Sequence, residues 1–139
     1  MTIWGDNFAS GSFEIFDGEY IFEDGFHVIG GSGGRLYGPK IASGDDCLSF
    51  ATNFNQAIFD WVVDSPVLFS KRAFGVKVAN YRLGATSGFG PTTEKIENIY
   101  VNNPVWFADG RSSRNGYVRF DTGEESADLV RDCVVSGGY

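Results

Sequence analysis

The sequence predicts an all-β fold, and three observations carry that prediction. Glycine supplies 19 of the 139 residues, and Phe, Tyr and Trp make up 16%, the composition of short strands broken by tight turns. Apolar and polar residues alternate with a period of two, as in Phe26-His27-Val28 and Leu48-Ser49-Phe50. Helix-forming runs are scarce: only the stretch from Gly123 to Val130 begins like one, and Asp132-Cys133-Val134-Val135 behind it returns to strand composition, so it reads as a loop. With 42% hydrophobic residues, residues 1–139 hold one core and one domain.

The strands follow a loose internal repeat. Lys40 to Phe50, Trp61 to Phe69 and Ile99 to Phe107 each read as an apolar strand, a small or polar corner and a second apolar strand, and Leu129 to Tyr139 is a worn fourth copy. Ile41 to Val63 is a step of 22 residues, and Val63 to Val101, at 38, is read as nearly two such steps. Repeats of this kind bury their inward side chains by stacking on neighbours, which predicts a parallel β-helix, a single-stranded solenoid of about five or six coils. Phe26, Val28, Leu48, Phe50, Val67 and Phe69 are its expected inward stacks. The alternative is a β-sandwich or jelly roll, which also spaces short strands at such intervals. The tract Gly30-Gly31-Ser32-Gly33-Gly34 lacks both a following helix pattern and a terminal Gly-Lys-Ser/Thr, so it reads as a flexible turn and not a phosphate loop.

Charge narrows the partners. Acidic residues outnumber basic ones 18 to 11, for a net charge of -7, which repels phosphate backbones and anionic lipid; neither nucleic acid nor a membrane is expected. The start, Met1 to Asp6, has neither the basic residues nor the apolar run of a signal peptide. Cys47 and Cys133 sit in apolar runs and read as core thiols. With His27 the single histidine and no ligand spacing around it, no metal and no cofactor is expected.

Two motifs carry chemistry: Glu23-Asp24-Gly25-Phe26-His27-Val28 and Gly44-Asp45-Asp46-Cys47-Leu48-Ser49-Phe50. Asp24 precedes Asp45 by 21 residues, one coil in the solenoid reading. Coils about 4.8 Å apart bring such carboxylates toward the roughly 6.5–9.5 Å at which an inverting glycosidase holds its water. Side chains at Asp45 and Asp46 share a cleft only if a corner lies between them, which Gly44 permits. Asp24, His27, Asp45, Asp46 and Ser49 then face one surface, where crowded like charges raise one carboxyl pKa toward that of a general acid. Asp-Gly and Gly-Asp-Asp are equally ordinary turn chemistry.

The two motifs resemble those of the polygalacturonase-like glycoside hydrolases, right-handed parallel β-helices that cleave pectin-type polysaccharides with inversion. The resemblance runs chiefly over residues 13–83. It implies Asp24, Asp45 and Asp46 as catalytic carboxylates and His27, Ser49 and Arg119 as substrate-binding residues. Arg119 stands in Tyr117-Val118-Arg119-Phe120-Asp121, the nearest match to the family's Arg-apolar-Lys, with Asp121 in place of lysine. The family's Gly-His-Gly has no counterpart in Asp64 to Phe69, which leaves the enzyme reading open. Family members are much longer, so the chain corresponds to part of such a helix, with residues 1–12 as a cap or arm. Uncovered coil ends invite pairing, so a homo-oligomer, trimer or dimer, is expected, with Trp4, Trp61 and Trp106 as candidates for the contact. Two readings follow: a polysaccharide-directed module, or a structural or adhesive oligomeric β-helix of virion or cell-surface type. Either places the chain outside the cell or on a virion.

Overall fold

The period-two alternation becomes fifteen strands in the computed structural model, which describes residues 1–11, 14–16, 24–52, 56–80, 94–108, 116–121 and 130–138. In chain order they are β1 (Thr2–Trp4), β2 (Ala9–Ser10) and β3 (Glu14–Phe16); β4 (Phe26–Ser32), β5 (Arg35–Tyr37) and β6 (Lys40–Ser43); β7 (Leu48–Ala51), β8 (Ile58–Asp64) and β9 (Val67–Ser70); β10 (Phe74–Ala79), β11 (Ile96–Asn102) and β12 (Val105–Ala108); then β13 (Gly116–Asp121), β14 (Val130–Arg131) and β15 (Val134–Ser136). No helix occurs among the described residues, so none there is long and apolar enough to cross a membrane. Of the stretch from Gly123 to Val130, read above as a loop, residues 123–129 lie outside the described residues and Val130 begins β14.

Every strand pairing among the described residues is parallel. Three ladders result. The first runs β1-β4-β7-β10-β13, the second β2-β5-β8-β11 with β14 and β15 both on β11, and the third β3-β6-β9-β12. The end of β4 pairs with the start of β8, which joins the first two ladders into one 11-stranded sheet; the third is a separate four-stranded sheet. The antiparallel hairpins of a sandwich or jelly roll do not occur among these strands. Residues 1–11 contribute β1, paired with β4, and β2, paired with β5, to the same ladders as the later strands.

The inward columns form the core. Phe26, Leu48 and Val76 share one row of the first ladder, and Val28, Phe50 and Val78 share the next; all six are buried. Trp61 lies at the centre, its ring 5.9 Å from Phe50 and 6.2 Å from Phe26 and Phe8. Any Cβ at Gly34 would strike the Trp61 ring, so this close approach needs glycine. In the third ladder the expected inward pair is corrected: Leu68 is buried, Val67 is exposed and Phe69 half-exposed. Pro66 ends the preceding corner, and the alternation resumes one residue later than expected.

The repeat is also corrected. Val63 pairs directly with Val101, so the 38-residue step is a single one, and Trp61 to Phe69 matches Ile99 to Phe107 position for position. Ile41 is a partner of Leu68 on another ladder and never of Val63. Uneven numbers of residues between strands hide a period that the strands themselves keep. The glycine tract is no simple turn either: Gly30, Gly31 and Ser32 end β4, where it leaves the first ladder for the second. Gly31 makes that bend at φ +101, with the Gly5 carbonyl where a Cβ would stand.

One corner repeats at four tiers. Gly38, Ser65, Asn103 and Gly137 all take left-handed φ, between 49° and 70°, immediately after the aligned residues Tyr37, Asp64, Asn102 and Ser136. Their amides climb the stack: Gly38 N donates to Asp64 O, Ser65 N to Asn102 O and Asn103 N to Ser136 O.

Candidate functional site

The acidic motifs sit at a different corner, where the chain enters the first ladder. Asp24 and Gly25 lead into β4; Gly44, Asp45, Asp46 and Cys47 lie between β6 and β7. Gly25 N donates to Asp46 O and Phe26 N to Cys47 O, which fixes the two corners one above the other. A Cβ on Gly25 would meet Ile41 and the Cys47 carbonyl, so only glycine lets the corners approach this closely.

The structure brings Asp24, Asp45 and Asp46 together: one carboxylate oxygen from each lies within 4.8 Å of the others. That is tighter than the separation expected for inversion. The reason is a direct link between corners, the Asp46 amide donating to Asp24 Oδ1 at 3.4 Å. The three carboxylates are not equivalent. Asp24 and Asp45 are partly exposed, whereas Asp46 is fully buried. Asp46 Oδ1 accepts from Phe74 N at 3.0 Å, and its Oδ2 faces the Lys77 ammonium at 2.7 Å. Burial pushes the Asp46 carboxyl pKa above its usual range, with the Lys77 and Phe74 contacts opposing.

His27 is part of the same group, its Nδ1 3.3 Å from Asp24 Oδ2. Burial holds its pKa below the ordinary histidine value, and the nearby Asp24 charge only partly offsets this. The neutral ring therefore carries its proton on Nδ1, toward Asp24, by assignment from this contact. Ser49 is the register partner of His27 and of Lys77 on either side. His27 Nε2 and Ser49 Oγ are both buried without a hydrogen-bond partner among the described residues.

Arg119 stands apart. It continues the row His27-Ser49-Lys77 on β13, three rungs and about 14 Å from His27, and its guanidinium lies 5.4 Å above the Phe74 ring. The residue missed in the sequence is Lys77. Its signal was legible: Val76-Lys77-Val78 repeats the apolar-polar-apolar pattern of Leu48-Ser49-Phe50, with which it pairs. The position one tier after the Asp pair is likewise not Asp64 to Phe69 but the stretch ending at Phe74, whose carbonyl accepts from Cys47 N; it too lacks histidine.

Three carboxylates this close suit a cation, and the chain itself supplies one in Lys77. Cys47 and Cys133 are both free thiols. Burial pushes Cys47 up to about 12 and Cys133 up to about 11, so both stay protonated and inert near neutral pH. Trp61 is core, Trp106 is half-buried against Tyr117 at 5.7 Å, and the side chain of Trp4 lies outside the described residues. Comparison with protein-family models, curated proteins and solved structures finds no match for this chain.

Proposed function

We propose that the chain is a right-handed parallel β-helix segment of about five coils whose first ladder carries a polysaccharide-directed site. The winding is supported by the exclusively parallel pairings, in which each later tier returns to the same three ladders in the same order, and its hand by the strong right-handed preference of parallel crossovers. The polygalacturonase-like resemblance is part of this reading.

One observation carries the function: Asp24, Asp45 and Asp46 converge within 4.8 Å beside a histidine that burial keeps neutral. Burial raises the Asp46 carboxyl pKa, with the Asp24 charge adding to it, and lowers that of His27, perturbed ionisations of the kind that proton transfer to and from a glycosidic bond uses. The roles are then unequal. Asp24 and Asp45, partly exposed, are the carboxyls that meet a glycan. Asp46 is buried and acts through its neighbours, as a positioning residue clamped by Lys77 and Phe74. His27 Nε2 and Ser49 Oγ are buried, so both act from behind the carboxyls, His27 through its contact with Asp24.

The test is reducing-sugar release from a panel of acidic and neutral polysaccharides by the native chain, Asp24→Asn and Asp45→Asn. Activity in the native chain that falls at least about a hundredfold in both variants supports hydrolysis; equal background in all three leaves no enzyme.

The second reading, a structural or adhesive oligomer, has its own observation. The outward face of the third ladder has an apolar part beside the Glu14–Lys40 ion pair: Val67 and Phe107 are exposed, with Phe69 the register partner of Phe107. Light scattering decides this one, a single-chain mass at high concentration counting against it.

A further inference from the structure

The outward face of the second ladder is built differently from the other two. Leu36, Val63 and Val101 point inward and are fully buried, so the residues on either side of each point out. They form two aligned columns. One is Tyr37, Asp64, Asn102 and Ser136; the other is Arg35, Val62, Tyr100 and Val134. Tyr37 is 52% exposed and Tyr100 38%, far more than a tyrosine with a buried ring.

The polar column is ordered by its own hydrogen bonds. Asn102 Nδ2 donates to Asp64 Oδ1 at 2.8 Å, and Ser136 Oγ to Asn102 Oδ1 at 3.2 Å. Each bond uses only part of the capacity of a carboxylate or carboxamide, so planar acceptors and donors are held in fixed orientation beside the rings at little further entropic cost. The left-handed residues Ser65, Asn103 and Gly137 that follow them lock the same edge.

We propose that this face is a second glycan-binding site, a platform for an extended, uncharged polysaccharide lying obliquely along the stack. Tyr37 and Tyr100 stand on β5 and β11, two rungs and about 10 Å apart along the axis but in neighbouring columns, so the line joining their rings runs obliquely across the face. An extended chain of pyranose rings presents apolar ring faces at regular intervals, and alternate sugars meet the two tyrosines while Asp64, Asn102 and Ser136 take the equatorial hydroxyls. A carboxylate in the column and the net charge of -7 disfavour polyuronates here. The third ladder exposes Val67 and Phe107 beside the single Glu14–Lys40 ion pair, without this run of hydrogen-bonded polar side chains. The platform lies on a different ladder from Asp24 and Asp45 and binds whether or not those residues hydrolyse anything.

Affinity electrophoresis of the full chain tests it, in gels containing hydroxyethylcellulose, soluble xylan, glucomannan or polygalacturonate. The native chain and Asp45→Asn are retarded in at least one neutral gel. Tyr37→Ala and Tyr100→Ala each weaken that retardation about threefold to tenfold, and Tyr37→Phe keeps it. Unchanged far-ultraviolet dichroism and melting temperature show that the variants fold. The proposal is overturned if no neutral glycan retards the native chain, or if both alanine variants migrate as the native chain does. Retardation in polygalacturonate alone, insensitive to the tyrosines, overturns the platform while supporting the acidic site. A drop in light-scattering mass in Tyr37→Ala would reassign the face to contact between copies.

Discussion

Two corners of this chain obey opposite rules. The corner at Gly38, Ser65, Asn103 and Gly137 repeats at four tiers, with the same left-handed residue and the same climbing amide bonds. The corner leading into the first ladder changes each time, from Asp24-Gly25 to Gly44-Asp45-Asp46 to Lys71-Arg72-Ala73. A backbone requirement is met alike at each tier because it is the same requirement. At the changing corner different groups face one another, and there the carboxylates, His27 and Lys77 converge. The repeating corner makes the stack and sets the edge on which Tyr37, Asp64 and Asn102 stand.

The sharpest break in that contrast lies at Lys77. It is the charge partner of a fully buried carboxylate, so Lys77→Met leaves Asp46 unpaired inside the protein and costs about 3–5 kcal/mol of stability by denaturant unfolding. The double variant Lys77→Met/Asp46→Asn recovers most of this, because the amide oxygen still accepts from Phe74 N while the charge is gone. If the double variant were no more stable than Lys77→Met, the pair would not be what holds the changing corner.

The repeating corner predicts a smaller effect. Asn103 sits at φ 49 and is exposed, so Asn103→Val pays chiefly for a β-branched residue in the left-handed region, about 1–2 kcal/mol. Asn103→Gly stays within a few tenths of a kcal/mol of the native chain. Equal losses in the two variants would point to the asparagine side chain in place of the backbone.

These two corners also explain what the sequence reveals. The strand-corner-strand outline of Trp61 to Phe69 and Ile99 to Phe107 is visible because Asp64-Ser65-Pro66 and Asn102-Asn103-Pro104 answer the same φ requirement. Its 38-residue step looks double because the number of residues between successive strands differs from tier to tier. Val67 and Phe69 were assigned inward because a period of two carries no mark of phase across a corner; only the burial of Leu68 fixes it. The convergence of Asp24, Asp45 and Asp46 was legible from coil spacing, but the burial of Asp46 was not, since it depends on Phe74 and Lys77 from the next tier. Tyr37 and Tyr100 stayed unread for a similar reason: their shared face exists only once β5, β8 and β11 are in register.

The smallest expected effect concerns pH, and it separates two groups at the changing corner by sign. Burial lowers the folded-state pKa of His27 below 6.5. Between those two values the unfolded chain binds more protons, so stability falls as pH drops below about 6.5, by at most about 1.4 kcal/mol per pH unit. Asp46 works the other way. Its folded-state pKa is raised above 3.8, so from 3.8 upward to the folded value the native state binds more protons, and stability rises as pH drops. In the native chain the two contributions have opposite signs over the range from pH 6.5 down to 3.8. His27→Gln removes one and Asp46→Asn the other. Melting temperature followed from pH 7 to pH 4 is expected to fall more steeply in Asp46→Asn than in the native chain, and to fall less, or rise, in His27→Gln. Parallel curves for all three would mean that neither group changes its proton affinity on folding, and the corner would then lack the perturbed ionisations on which its proton-transfer reading depends.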